Sequence, residues 1–145
     1  MGDLSKDINS KFDSAKVKAL INILYTANWI SSFQNDFFKP FGISPQQYNV
    51  LRILNGAGKA LKVQTIKERM IDRSPNTTRL MDKLIAKDFI ERFPCADDRR
   101  VVFIKLTNRG KQLIESISVD FNKDLLKNIT EDEAEQLSDL LDKMR

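Results

Sequence analysis

Two short segments concentrate the side chains that can form directed hydrogen bonds to an anionic partner. The polar and charged residues of these segments are Ser74, Asn76, Thr78, Arg79 and Lys83 in the first, and Asp98, Arg99 and Arg100 in the second. The planar guanidinium of arginine pairs bidentately with guanine or phosphate, and the shorter polar side chains reach base edges or phosphate oxygens. The chemistry that these residues offer is nucleic-acid recognition.

The composition removes most familiar enzymatic chemistry. The chain has no histidine, which excludes Ser-His and Cys-His nucleophiles and histidine zinc sites. Its one cysteine, Cys95, cannot form an internal disulfide or a four-cysteine metal site. We therefore expect no enzymatic activity, no cofactor and no metal. Cys95 lies near two arginines that could lower its pKa, so redox sensing stays open beside the simpler role of a small structural residue.

The net charge of +4 is unevenly distributed along the chain. Residues 39–110 contain fifteen lysines and arginines against seven acidic residues, whereas the two flanks contain nine against thirteen. A basic middle between acidic ends is typical of a segment that meets a polyanion. An unevenly charged but merely solvated surface is the alternative.

The pattern of apolar residues and helix caps predicts a mainly α-helical fold with a small β-hairpin. Apolar residues at three- and four-residue spacing predict a long helix from about Ser10 to Phe38, and Ser44-Pro45 predicts the start of another that ends near Asn55. The later predicted elements are a strand at 60–63, helices at 64–70 and 75–87, strands at 89–93 and 100–106, one long helix from Thr107 to about 129, and a last helix after Thr130. This order is that of a winged helix-turn-helix with helical flanks.

The helix predicted at 75–87 has one apolar and one polar face. At 100° per residue, Arg79 points away from the apolar side, so we expect it to face the major groove of DNA. The apolar side consists of Thr77, Leu80, Met81 and Leu84, and the residues that flank Arg79 are Asn76, Thr78 and Lys83. The helix start after Ser74 could offer backbone N–H groups to a phosphate. Exposed charges that only solvate a surface helix are the alternative.

Four motifs occur in a fixed order: ISPQQYNVLRIL at 43–54, SPNTTRLMDKL at 74–84, DDRR at 97–100 and LTNRGK at 106–111. Together they resemble the MarR (multiple antibiotic resistance regulator) family of bacterial transcription factors. The resemblance implies a single MarR-like domain over residues 1–145. Its winged helix-turn-helix would span about 44–106, and its dimerisation helices about 8–38 and 107–145.

The resemblance also implies how the parts act. One wing arginine would enter the minor groove of double-stranded DNA, and an Asp–Arg pair among Asp98, Arg99 and Arg100 would brace the wing; the residues do not decide which arginine does which. Charges that only protect the hairpin edge are the alternative. The flanking helices would form a homodimer, which binds a pseudo-palindromic operator as a ligand-responsive repressor; alternatively, their apolar stripes close the core of the monomer itself.

A small aromatic or amphipathic effector is expected where the first helix meets the winged helix, and the candidate pocket residues are Trp29, Phe33, Tyr48 and Arg52. The alternative is that these side chains belong to the core, as aromatic rings at such close spacing more often do. The chain start lacks an apolar signal core and no membrane span is expected, which favours a cytoplasmic location. The alternative function is a winged-helix protein-interaction module without sequence-specific DNA binding.

Overall fold

The computed structural model of the protein describes residues 1–73, 76–117 and 121–145. Its elements, in chain order, are α1 (Leu4–Asp7), α2 (Ala15–Phe38), α3 (Pro45–Ala57), β1 (Leu61–Lys62), α4 (Val63–Arg69), α5 (Thr77–Ala86), β2 (Ile90–Pro94), β3 (Val102–Leu106), α6 (Asn108–Ser116), α7 (Phe121–Leu126) and α8 (Glu131–Lys143). This confirms the predicted class, a mainly helical winged helix-turn-helix with a small antiparallel sheet. No helix in the described ranges is both long and apolar enough to cross a membrane.

Side-chain hydrogen bonds cap the starts of α2, α3 and α8. The Ser44 hydroxyl accepts from the Gln47 N–H at 3.1 Å while the Gln47 side chain accepts from the Ser44 N–H at 3.0 Å, so α3 begins with the predicted capping box. Thr130 and Glu133 form the same box at α8. The predicted start of α2 near Ser10 is wrong, because the Ser14 hydroxyl accepts from the Val17 N–H at 3.2 Å and caps the helix there instead. The short helix α1 was not predicted.

The single long helix predicted after Thr107 is also wrong. α6 ends at Ser116, since Ile117 adopts an extended conformation with ψ of 115°. The Leu113 carbonyl accepts from the Ile117 N–H at 3.2 Å and also from the Ser116 hydroxyl at 2.7 Å, a local side-chain bond in the last turn of the helix. A separate helix, α7, carries the apolar residues from Phe121 onward.

The chain divides into two compact units. One comprises Phe33–Ser118 and the other comprises Met1–Ser32 with Val119–Arg145. The first unit has a closed apolar core, whose most deeply buried side chains include Phe38, Val50, Leu51, Leu54, Ile66, Leu84, Ile90 and Ile104. Apart from Phe38 at the end of α2, these side chains come from the helices and strands of the winged helix-turn-helix, and they fix α5 and the wing on one scaffold.

The wing is part of a three-stranded antiparallel sheet in the order β1-β3-β2. β1 pairs with β3 through Leu61 opposite Ile104, and β2 pairs with β3 from Ile90 opposite Leu106 to Pro94 opposite Val102. Phe93 and Phe103 face each other across the strands and stack with ring centroids 5.8 Å apart. The remaining strand, β1, connects the hairpin of β2 and β3 to the chain segment that leads into α4.

The base of the wing is locked onto the first turn of α6. The Thr107 hydroxyl accepts from the Gly110 N–H at 3.0 Å and donates to the Asp88 carbonyl at 2.5 Å, while the Thr107 N–H donates to the Phe89 carbonyl at 3.1 Å. Gly110 lies so close to this backbone that a Cβ atom on it would be 2.0 Å from the Phe89 carbonyl oxygen. Only glycine fits at this position.

Candidate nucleic-acid interface

Helix α5 has the two faces that its sequence predicts. Thr77, Met81 and Leu84 are buried and Leu80 is half-buried, so the apolar side anchors the helix on the core. The residues on the opposite side, all exposed, are Asn76, Thr78, Arg79 and Lys83. Asn76 occupies the N-cap position, and Ser74 lies outside the described residues. Arg79 is therefore available to a partner while the helix that carries it is fixed.

The turn before α5 is held by a buried amide that the sequence analysis did not single out. Asn49 on α3 is 6% exposed, and its Oδ1 accepts from the Ile71 N–H at 3.0 Å. Met70 beside it is buried in the core. A buried amide oxygen bonded to a loop N–H fixes the path of the chain, because losing the bond would leave this buried acceptor without a partner, at a cost of about 1–3 kcal/mol. Asn49 thus positions the segment that leads into α5.

The wing tip contains one braced and one unpaired arginine. Arg100 pairs with Asp98: its Nε lies 3.2 Å from Asp98 Oδ1, and its backbone N–H donates to the same oxygen at 3.0 Å. These hydrogen bonds, the backbone one first, lower the pKa of Asp98 below its ordinary value. Arg99 is exposed and has no ion-pair partner in the described part of the chain. The Asp–Arg pair that the resemblance implies is therefore Asp98 with Arg100, while 91% of the Arg100 side chain stays exposed.

A groove of about 430 Å³ lies between α5 and the wing. Its lining residues are Lys62, Val63, Gln64, Thr78, Arg92, Arg100, Val101 and Val102. The charged members are all cations, and two of them pair with carboxylates outside the lining: Arg100 Nε lies 3.2 Å from Asp98 Oδ1, and Arg92 Nη1 lies 3.5 Å from Asp82 Oδ1. A concave surface lined by one sign of charge concentrates the opposite charge, here that of an anionic partner.

Lys62 and Arg92 are the charged groove residues that sequence reasoning missed. Neither belongs to a recognisable motif, and both reach the groove through strand pairing, since β1 and β2 flank β3 on opposite sides. In the sequence, Arg92 follows Glu91 on a predicted strand, and nothing in that position indicates a contact with a partner. Only the register of the sheet brings these two cations beside Thr78.

Cys95 lies at the wing turn, where its backbone N–H donates to the Val101 carbonyl at 2.8 Å. Hydrogen bonds from the backbone N–H groups of Asp97 and Asp98 lower the pKa of its thiol, with a smaller effect from the charge of Lys62. The two wing arginines do not contribute to this shift, unlike the expectation from the sequence. In the described ranges, no three His, Cys, Asp or Glu side chains are grouped so that they could hold a metal ion.

The four residues predicted to line an effector pocket do not share one unit. Trp29 belongs to the unit of Met1–Ser32 and Val119–Arg145, and the other three belong to Phe33–Ser118. Tyr48 stacks on the buried Phe38 with ring centroids 4.5 Å apart, and Arg52 is exposed. These four residues line neither the groove between α5 and the wing nor a second cavity at the base of the wing. The effector pocket stays a prediction.

The sequence matches the MarR family over residues 43–102. It is 32% identical to the Multiple antibiotic resistance protein MarR of Escherichia coli strain K12 over 114 residues, which are 76% of this chain and 78% of that protein. The chain belongs to the MarR family. The corresponding MarR of Salmonella typhimurium is 34% identical over 114 residues, with the same shares of the two chains.

Solved structures of the MarR fold agree with this assignment. A mutant MarR from E. coli complexed with operator DNA matches with a TM-score of 0.73 and 28% identity over 99% of both chains. The S. aureus MepR–DNA complex matches with a TM-score of 0.74 and 24% identity, covering 92% of this chain and 97% of that one, and it supports the fold alone. As a MarR-family protein, this chain is a DNA-binding transcriptional regulator and not an enzyme. The alternative of a module that binds only other proteins is not favoured.

Proposed function

We propose that this regulator is a homodimeric, sequence-specific repressor that binds a pseudo-palindromic operator in the bacterial cytoplasm. The observation that carries the proposal is the cationic groove between α5 and the wing, beside the exposed face that bears Arg79. The complex of the similar E. coli MarR with operator DNA supports double-stranded DNA as the partner. A repressor of this kind acts by occupying promoter DNA.

In this proposal α5 enters the major groove. Arg79 donates to guanine O6 and N7, while Asn76, Thr78 and Lys83 contact base edges or phosphates. The N-terminal end of α5, after Ser74, offers backbone N–H groups that donate to a DNA phosphate. Specificity then rests mainly on Arg79, because phosphate contacts position the protein without reading the sequence.

The wing arginines have different roles in the proposal. Arg100 is exposed but oriented by Asp98, and an arginine held in its bound orientation loses less side-chain entropy on binding. Arg100 therefore inserts into the minor groove, where a narrow groove has an enhanced negative potential. Arg99, which has no ion-pair partner among the described residues, contacts a backbone phosphate. Arg100→Ala then weakens the preference for A·T-rich flanks, whereas Arg99→Ala weakens binding to all sequences alike.

Exposed apolar side chains support a dimer. In the unit of Met1–Ser32 and Val119–Arg145, the large apolar residues exposed by 39–62% are Val17, Leu20, Leu24, Tyr25, Trp29, Leu126, Ile129, Leu137, Leu140 and Met144. Monomeric soluble proteins rarely expose so much apolar surface in one region. We therefore propose that these helices pack against a second copy, which places two α5 helices on one duplex.

The dimer is tested by light scattering after gel filtration, with Leu140→Glu as the disruptive variant. In a symmetric interface both copies lose a leucine contact worth about 1.5 kcal/mol or more, so the dimer dissociation constant rises about 100-fold. Gln136→Glu adds the same charge to an exposed position of α8 and leaves the dimer intact. A wild-type mass near that of one 16.7 kDa chain would contradict the dimer.

Release by an effector completes the proposal. A small aromatic or amphipathic molecule releases the operator if it binds more tightly to a dimer whose α5 helices are wrongly spaced for DNA. The candidate pocket residues are Trp29, Phe33, Tyr48 and Arg52. Mass spectrometry of the purified protein under native conditions detects such a ligand. The protein freed of this ligand should lose operator affinity when the ligand is added back.

DNA reading is tested by selecting bound fragments from genomic DNA and measuring fluorescence anisotropy on the selected and a shuffled duplex. Arg79→Ala should weaken binding to the selected duplex about 5- to 150-fold, which is 1–3 kcal/mol, and binding to the shuffled duplex much less. Lys127→Ala, an exposed change in the other unit, is the matched control and should alter neither. Equal losses on both duplexes would remove Arg79 from base recognition.

A further inference from the structure

A second cavity, of about 240 Å³, lies at the base of the wing. Its lining residues are Leu54, Asn55, Gly58, Lys59, Ala60, Lys105, Leu106 and Lys111. Three of these eight residues are lysines, and none is acidic. The cavity combines apolar walls, an amide and cationic side chains, and this combination fits a small anionic molecule with a carbon skeleton rather than a bare ion.

Three different elements of the fold bring the lysines together. Gly58 adopts the left-handed conformation, with φ of 63°, and ends α3 so that Lys59 lies at the corner before β1. Lys105 is on β3, and Lys111 follows Gly110 in the first turns of α6. The Lys111 N–H donates to the Thr107 carbonyl at 3.0 Å, which fixes the start of the helix that carries the side chain.

Only one of the three cations has an ion-pair partner within the described ranges. Lys105 Nζ lies 2.8 Å from Glu91 Oε1 and 5.6 Å from the ring centroid of Phe93, so its charge is already compensated. Lys59 and Lys111 are exposed and have no ion pair in the part of the chain that the structure describes. Two like charges that line one concave site repel each other, and a bound anion relieves that repulsion.

The cavity is separate from the groove that faces DNA in the proposed function. Both touch β3, but the groove is lined by Val101 and Val102 whereas the second cavity is lined by Lys105 and Leu106. At about 3.4 Å per residue, the two ends of this strand are roughly 13 Å apart. The buried Leu54 side chain and the half-buried Leu106 also give the cavity an apolar wall, which has no role in binding a DNA phosphate.

We propose that this cavity binds a small organic dianion, such as a dicarboxylate or a phosphate monoester, between Lys59 and Lys111. Its charged groups pair with the two ammonium groups, its carbon skeleton contacts Leu54 and Leu106, and the Asn55 amide supplies a further hydrogen bond. The volume corresponds to about eight water molecules at roughly 30 Å³ each, which limits the ligand to a small metabolite. The site does not depend on the dimer or on the operator.

The test uses the full chain and two probes, phthalate and phenyl phosphate, at constant ionic strength. Calorimetry should show saturable binding of at least one probe, and the two arms distinguish a carboxylate from a phosphate ligand. Benzoate, with a single charge, should bind at least 10-fold more weakly. At ten times the dissociation constant, the bound probe should raise the melting temperature by about 4 °C. Chemical-shift changes should centre on the amides of Gly58 and Lys111.

The decisive variants are Lys59→Ala and Lys111→Ala, each of which should weaken probe binding at least 10-fold. Lys59→Arg should retain binding, and Lys127→Ala, an exposed lysine in the other unit, should not change it. Circular dichroism confirms that every variant is folded. No saturable binding of either probe overturns the proposal, as does binding that both alanine variants preserve. Loss of operator affinity in these variants without any probe present also overturns it, because the lysines would then serve DNA phosphates.

Discussion

Replacing Gly110 by alanine tests whether the wing is locked onto α6 as described. A Cβ atom at this position would lie 2.0 Å from the Phe89 carbonyl oxygen and 3.2 Å from a methyl carbon of Leu106. Contacts under 3.0 Å essentially never occur for Cβ atoms, so the backbone segments must separate by about 1 Å. The obstacle is main chain, which cannot rotate away as a side chain would.

The expected loss of stability for Gly110→Ala is about 3 kcal/mol. Overpacking against backbone costs about 3 kcal/mol, and the separation breaks the hydrogen bond from the Thr107 N–H to Phe89, worth about 1 kcal/mol. The better helix propensity of alanine returns about 1 kcal/mol. For a chain of this length, the net change lowers the melting temperature by about 10 °C.

Gly56→Ala is the matched control. Gly56 lies within α3 and no atom approaches its Cβ position within 4 Å, so alanine should raise the melting temperature by about 2 °C through helix propensity alone. Both variants are compared by calorimetry at one protein concentration, since the melting temperature of an oligomer depends on it. A melting temperature for Gly110→Ala within about 3 °C of the wild type would refute the close approach of α6 to the wing.

Two further predictions concern ion pairs of the interface. The pKa of Asp98 is lowered by Arg100, so the bracing of the wing is complete above the ordinary value of 3.8 and is lost as the pH falls through the lower folded value. An NMR titration should show this pKa rising only in part in Arg100→Ala, because the larger effect, the hydrogen bond from the Arg100 backbone N–H, remains, and unchanged in Arg99→Ala. Equal midpoints in the two variants would exclude the side-chain pair. A double-mutant cycle on Asp82 and Arg92 should give a coupling of only about 0.2–1 kcal/mol to the free energy of unfolding, because both side chains are half exposed, and a much larger coupling would contradict the exposed geometry.

Local signals in the sequence were enough to predict the recognition helix and most element boundaries. The capping boxes at Ser44 and Thr130 depend on residues three positions apart, and the two faces of α5 follow from helical periodicity around Arg79. The start of α2 was missed because Ser10 and Ser14 are equivalent as caps in sequence terms. Only the hydrogen bond to the Val17 N–H distinguishes them.

Features that depend on contacts between distant segments could not be predicted. Lys62 and Arg92 reach the groove only because β1 and β2 pair with opposite edges of β3, and Asn49 meets Ile71 across 22 residues of sequence. The long helix predicted after Thr107 failed for a local reason, since apolar periodicity continues past Ile117 while the backbone does not. Periodicity reports which residues face a core, and it does not report where a helix is interrupted.

In the proposed function, two α5 helices of one dimer, each bearing Arg79, read two half-sites on the same face of a duplex. The most direct measurement is the affinity for a selected operator and for the same operator with five base pairs inserted between its half-sites. Half-sites read by a two-fold dimer lie about 10 base pairs apart, so the insertion turns one half-site to the far side of the DNA. We predict that affinity falls at least 100-fold, to that of a shuffled duplex. Unchanged affinity for the operator with the insertion would show that the two α5 helices do not read half-sites on one face of the duplex.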